Sequence, residues 1–333
     1  MSTVTDTPAS SVTCAFVRSD GSLCPGPVEG EGDLCFWHDP EASKETDDVR
    51  RRLEEWADTG ESMEGFVLRF GRLEGLRLSN RPSTDMRNAN LFKTRLQGAS
   101  LWNLDLTGAD LSKADLAGAN LNESQMVGTD LLGINFDGSR LERVEWGDKC
   151  TNELRALEAL REGRTEDACA AFEEAEEIYR ILRRSYDGAG RFEEAGAFFR
   201  REMTMRRMLM PRWSGARFWS KLVDVFCAYG ESPPRVILSA MVVNIVVGCI
   251  FFLCGVNGPD GPLCIDLELG LWVNVEMYLN CLYYTVVTFT TLGYGEITPP
   301  TLFTRHLAST HAFAGAFMMA MFVAVFGKKM TRG

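Results

Sequence analysis

The chain has 333 residues, a formal net charge of −11 and a mean hydropathy of −0.09. That acidic balance argues against non-specific binding to nucleic acid, and the length is enough for more than one domain. No nucleophile–base pair, phosphate loop or catalytic metal pattern is visible, so an enzyme is not expected.

Residues 1–45 open with a Ser/Thr-rich stretch, 1–11, that is too polar to pack and is expected to be disordered. No apolar stretch of a secretory signal is present there. Cys14, Cys24, Cys35 and His38 follow in the order C-x9-C-x10-C-x2-H. Three thiolates and one imidazole are a standard tetrahedral set for structural Zn²⁺. Cys35-Phe36-Trp37-His38 is a good chelating turn, and a segment this small needs a staple to fold. A reducing compartment favours metal over disulfide. The alternative is a disordered tail with incidental cysteines.

Residues 46–88 read as a linker or lead-in. From Ala89 a period of five begins and runs to about residue 148: Leu91, Leu96, Leu101, Leu106 and onward to Leu141 and Trp146 stand five apart. Two positions before each sits a small or apolar residue, as at Ala89, Ala99, Ala109 and Ala119, and the residue between is often Asp or Asn. A period of five fits neither helix nor isolated strand and signals a solenoid. The central residue and the one two before it would point inward. Glycines at Gly98, Gly108, Gly118, Gly128 and Gly138 would stack at two opposite corners of a square coil. The pattern resembles the pentapeptide-repeat family, which implies a right-handed quadrilateral β-helix of about three coils, roughly 15 Å tall. Its role is either a rigid spacer or oligomer-packing element, or a docking face for an unknown cytoplasmic partner. Basic residues such as Lys93, Lys113 and Arg140 argue against an acidic mimic of DNA.

Residues 149–230 read as a helical connection. Apolar positions such as Ala168, Phe172, Ala175, Tyr179 and Leu182 follow a helical period, with Thr165 as a candidate N-cap. The segment is similar to a tetratricopeptide hairpin, with too few repeats for an independent array. Trp213, Phe218 and Trp219 alternate with Arg212, Arg217 and Lys221, as in a helix lying on a membrane surface.

Residues 231–333 are the membrane-like part. Apolar runs at about 236–254 and 307–327 approach the roughly 20 residues a span needs. Lys and Arg cluster before the first and after the second, at Lys328, Lys329 and Arg332, whereas residues 255–276 carry only acidic charges. The positive-inside rule then puts both termini in the cytoplasm. Arg305 and His306 fall at the outer end of the second span, in the headgroup region or steadying the loop before it. Cys254 and Cys264 flank the outer loop and could pair, whereas Cys150, Cys169, Cys227, Cys249 and Cys281 read as ordinary buried thiols.

Between the spans, an apolar stretch at 277–290 is expected to form a short tilted helix with its C-terminal dipole toward Thr291-Leu292-Gly293-Tyr294-Gly295-Glu296. This segment resembles the filter signature of potassium channels. The resemblance implies rings of carbonyls from Thr291, Leu292, Gly293 and Tyr294, with the Thr291 hydroxyl innermost and Tyr294 bracing from behind. Thr290 and Glu296 would support the filter, and K⁺ would be the permeant ion. One such loop supplies one quarter of a filter, so a homotetramer in a lipid bilayer is implied. The architecture resembles prokaryotic two-span channels of the cell membrane. Leu292 stands where Val or Ile is commoner, which keeps a non-selective cation pore open as an alternative, beside a membrane-anchored scaffold with a silent pore. Gly315 could bend the inner helix or allow close packing. The fold class expected is multidomain: zinc module, pentapeptide β-helix, α-helical linker and all-α two-span pore-loop domain.

Overall fold

A computed structural model describes residues 13–29, 32–259, 261–266 and 268–331. The Ser/Thr-rich tail and Arg332 lie outside the described residues. The chain divides into two compact units, Met1–Pro211 and Arg212–Gly333.

The first unit is built on the five-residue repeat. Single parallel bridges link Asp85 to Asp105, Asn90 to Asp110, Arg95 to Asp115 and Ser100 to Asn120, and the series continues to Gln125 and Glu145. Each offset is 20 residues, so four pentapeptides complete one coil. The expected inward positions are buried: Leu91, Leu96, Leu101 and Leu111 are at most 2 % exposed, as are Ala89, Ala99 and Ala109. Inward hydroxyls do not go unpaired, since Thr94 donates to Leu68 O and Thr129 to Leu106 O. Asp or Asn before the central residue has a task the sequence left open. Its carboxylate or amide oxygen accepts from the backbone two residues on, as Asp105 does from Thr107 N and Asp115 from Ala117 N, closing the corner as an Asx-turn.

The corners differ from the sequence expectation in one respect. Positive φ is required at all four, not at the two glycine corners alone. Every fifth residue from Asn88 through Lys93, Gly98 and Asn103 to Arg143 adopts it. Asn, Lys, Glu and Arg therefore accept a conformation that disfavours a Cβ.

The ladder also begins before Ala89. Val67, Arg72 and Arg77 bridge Asn90, Arg95 and Ser100, each with an offset of 23 residues. Three extra residues near Arg81 shift the register, so Leu68, Leu73 and Leu78 are the inward residues of this first coil, all fully buried. The helix α1 (Asp48–Asp58) lays Val49, Leu53 and Ala57 against it. Arg81 fastens the insertion to α1 through Asp58 (2.5 Å) and Glu54 (3.3 Å).

At the other end pack α2 (Thr151–Arg161), α3 (Thr165–Gly188) and α4 (Phe192–Leu209). Arg164, not Thr165, is the N-cap of α3. Trp146 Nε1 donates to Tyr186 Oη, whose hydroxyl donates to Leu141 O, seating α3 on the last coil. One hydrophobic core runs from Cys14 to Met205. Cys169, unlike Cys150, lies on the exposed face of α3.

The second unit contains α5 (Gly215–Cys227), α6 (Pro233–Cys254), the hairpin β1 (Val256–Gly258) and β2 (Gly261–Leu263), α7 (Leu271–Phe289) and α8 (Leu302–Thr331). Helix α7 starts six residues earlier than the apolar run suggested. Both α6 and α8 are long and apolar enough to cross a membrane. Leu238, Phe313 and Phe317 on them are more than 60 % exposed, a surface suited to lipid rather than water. Cys249 is exposed on α6, and Cys254 and Cys264 are free thiols. Helix α5 is capped by Ser214 and exposes Phe218, Trp219 and Val225.

Candidate functional site

The segment after α7 is set by how that helix ends. Thr291 N donates to Thr288 O and Leu292 N to Val287 O, with Thr291 at φ +59°. This is a Schellman-type closure made without glycine. Gly293 and Gly295 also have positive φ, at +55° and +88°. Every second residue from Thr291 to Gly295 is therefore left-handed. In a strand, successive carbonyls alternate sides; alternating handedness instead turns successive N–H groups one way and carbonyls the other. The segment is therefore not an extended strand, and residues of positive φ alternate along it.

Its surroundings hold it from several directions. Thr290 Oγ1 turns back to Val286 O, 2.8 Å away. Tyr283, on α7, donates its hydroxyl to Glu296. This partner was not legible in the sequence, because a tyrosine in an apolar helix does not announce a carboxylate thirteen residues on. Thr298 exchanges two 2.9 Å backbone bonds with Asn257 in β1. Arg305 Nε donates to Pro299 O at 3.2 Å, so Arg305 steadies this loop, while His306 is exposed. Leu292 and Tyr294 are 62 % and 68 % exposed within the single chain.

Helix α8 continues through Gly315 without a break. A Cβ there would lie 2.0 Å from Phe289 O, so the glycine allows α8 to touch the end of α7. One turn earlier, His311 is 3 % exposed and places Nε2 3.2 Å from Thr285 O. Thr285 Oγ1 in turn reaches Leu282 O at 2.7 Å and Asn244 O, on α6, at 3.4 Å. Three buried polar residues thus tie α6, α7 and α8 at one level.

The second cluster lies in the first unit. Cys14, Cys24, Cys35 and His38 are all buried, and their ligand atoms lie within 4.8 Å of one another. Cys24 Sγ is 3.9 Å from Cys35 Sγ, and His38 Nδ1 is 3.3 Å from Cys35 Sγ and 3.5 Å from Cys14 Sγ. A tetrahedral centre with Zn–S near 2.3 Å sets sulfurs about 3.8 Å apart. His38 Nε2 lies 2.9 Å from Glu64 O, which fixes it as the protonated nitrogen and leaves Nδ1 to face the sulfurs. Backbone N–H groups of Gly26 and Cys35 donate to Cys24 and Cys14 sulfurs. The shared bond to Cys35 lowers the Cys24 thiol, while the bond to Cys24 and burial push Cys35 up to about 11. Three adjacent buried thiolates need a cation between them. The donor set therefore fits a metal.

Residues 240–332 match the family model described as ion channel, and residues 105–143 match eight copies of the pentapeptide repeat. No curated protein matches the chain. Among solved structures, the pentapeptide repeat protein Rfr23 from the cyanobacterium Cyanothece 51142 is 30% identical, over 26% of this chain and 56% of that one, at a TM-score of 0.24. A pentapeptide repeat protein from the Arabidopsis thaliana thylakoid lumen is 24% identical, over 32% of this chain and 79% of that one, at 0.17. HetL from Nostoc sp. strain PCC 7120 is 22% identical, over 24% and 62%, at 0.14. This chain spans little more than half the length of Rfr23.

Proposed function

We propose that this chain, an ion-channel segment of the two-span pore type joined to pentapeptide repeats, is one quarter of a tetrameric K⁺ channel. The observation that carries the reading is the left-handed alternation at Thr291, Gly293 and Gly295 between two helices of membrane length. K⁺ entering a narrow pore loses water, and inward carbonyls of Thr291, Leu292, Gly293 and Tyr294 replace it. Four chains are needed to surround the ion, and the exposed Leu292 and Tyr294 side chains are surfaces for that assembly. Glu296 and Tyr283 hold the outer end of the segment, and Thr290 the inner end. The excess of Lys and Arg before α6 and after α8 supports a cell-membrane protein with the first unit and both termini on the cytoplasmic side. There the first unit regulates or assembles the pore, with one Zn²⁺ held by Cys14, Cys24, Cys35 and His38.

The test is the reversal potential of the full-length protein in planar bilayers under opposed K⁺ and Na⁺ gradients. Reversal near the K⁺ equilibrium potential, lost in Gly293→Ala, is expected. Current that reverses near zero would replace this reading with a non-selective pore, which the larger Leu292 side chain favours. Absence of current under every condition would leave a membrane-anchored scaffold.

A further inference from the structure

A β-helix has an exposed end wherever its coils stop. The last coil offers unpaired N–H and C=O groups and an open hydrophobic core, and both invite another chain. Inside this solenoid the bridging residues donate to the coil before them: Asn90 N to Phe66 O, Arg95 N to Gly71 O and Ser100 N to Leu76 O. The equivalent residues of the first coil are Val67, Arg72 and Arg77, and among the described residues no coil precedes them. Val67 N donates instead to Trp37 O (2.7 Å), Arg72 N to Lys44 O (3.4 Å) and Arg77 N to the Glu54 carboxylate (2.9 Å). The cysteine–histidine module and α1 thus stand in for the missing coil.

The module is joined to the coil at the metal ligands themselves. Trp37, which supplies the first carbonyl, lies between Cys35 and His38 in the chelating turn, and its ring stacks on Phe66 of the coil. The outer nitrogen of His38 is fixed by Glu64 O, at the start of the same coil. The Glu64 carboxylate accepts from Ser19 N and Ser19 Oγ in the loop between Cys14 and Cys24, and from Asn88 in the second coil. Gly26 is pressed so closely on Cys35 that a Cβ would sit 3.0 Å from that residue's own. A segment of this size cannot fold around three buried thiolates without a cation.

We infer that metal binding and closure of the solenoid's N-terminal end are one equilibrium: Zn²⁺ folds the turn that completes the first coil, and the first coil orients His38 for Zn²⁺. This rests on the zinc reading proposed above. Linkage requires the coupling to act in both directions by the same factor.

Both directions are measurable on the full-length protein. Chelation of the metal is expected to speed amide exchange at Val67, Leu68 and Arg72 by roughly tenfold or more, leaving Leu111, Leu116 and Leu121 unchanged. Cys24→Ser should reproduce this pattern. In the reverse direction, Glu64→Gln leaves all four ligands in place and should weaken Zn²⁺ about tenfold in competition with a chromophoric chelator. If purified protein holds no zinc and takes up none, the metal reading itself falls. If it holds zinc while first-coil exchange ignores chelation, or Glu64→Gln binds as tightly as wild type, the metal reading stands and the coupling is overturned.

Discussion

Left-handed residues shape both the solenoid corners and the segment after α7, yet the two regions use them to opposite ends. In the solenoid they recur every fifth residue, and those from Asn88 to Glu123 are held by the next coil of their own chain: Lys93 N donates to Ser112 O, Gly118 N to Asp137 O and Glu123 N to Glu142 O. After α7 they recur every second residue, and the intervening Leu292 and Tyr294 are largely exposed. A repeat that satisfies itself along one chain makes a rod. A segment with positive φ at every second residue and uncovered side chains between is, in the channel proposed above, the part that copies of the chain would complete.

The sharpest break of that comparison is a matched pair of substitutions. Gly293 and Gly118 have φ of +55° and +69°, and neither has a neighbour within 3.9 Å of an added Cβ in the single chain. Gly118→Ala should cost about 1 kcal/mol, seen as a small fall in the melting temperature, with the reversal potential untouched. Gly293→Ala should abolish K⁺ selectivity. Equal, mild effects from both would remove the case for assembly around Gly293. Next in size is Gly315→Ala, which drives a Cβ into Phe289 O and should cost about 1–3 kcal/mol of thermal stability in detergent, whereas Gly327→Ala, with open space around it, should cost almost nothing. Tyr283→Phe removes the bond to Glu296 while keeping the ring. It should shorten the conducting state, read as faster decay of current at steady voltage, and an unchanged time course would assign Glu296 no need of that partner. Smallest is Asp115→Ala, which strips acceptors from Ala117 N, Asn135 and Gln97. A loss of about 1 kcal/mol by denaturant unfolding is expected, with conduction unaffected.

What the sequence revealed follows from where the physics is local. Leu and Ala at fixed spacing must face one core, so the inward ladder from Ala89 was readable, and Cys35 to His38 is a turn whose chelating geometry is set across three peptide bonds. The first coil was hidden because its insertion moves Leu68, Leu73 and Leu78 three residues out of step. Positive φ at Lys93 or Glu123 carries no compositional mark, unlike Gly98. At the candidate pore, the glycines and Thr291 stood out, whereas Tyr283, His311 and the contact of Gly315 with Phe289 depend on helices meeting far apart in sequence. Arg305 was readable as a charge, though its bond to Pro299 O was not.

The three extra residues of the first coil give the solenoid an origin. The coil from Ala109 to Gly128 has the same twenty-residue offset to the coil before it and to the coil after it, so its duplication or loss changes the rod by about 4.8 Å and keeps the register on both sides. The first coil cannot be copied in that way, because a second Arg81 would find no Glu54 or Asp58 to meet it. The rod is a ruler with a pinned zero and uniform graduations, and its descendants can differ in length only by whole steps.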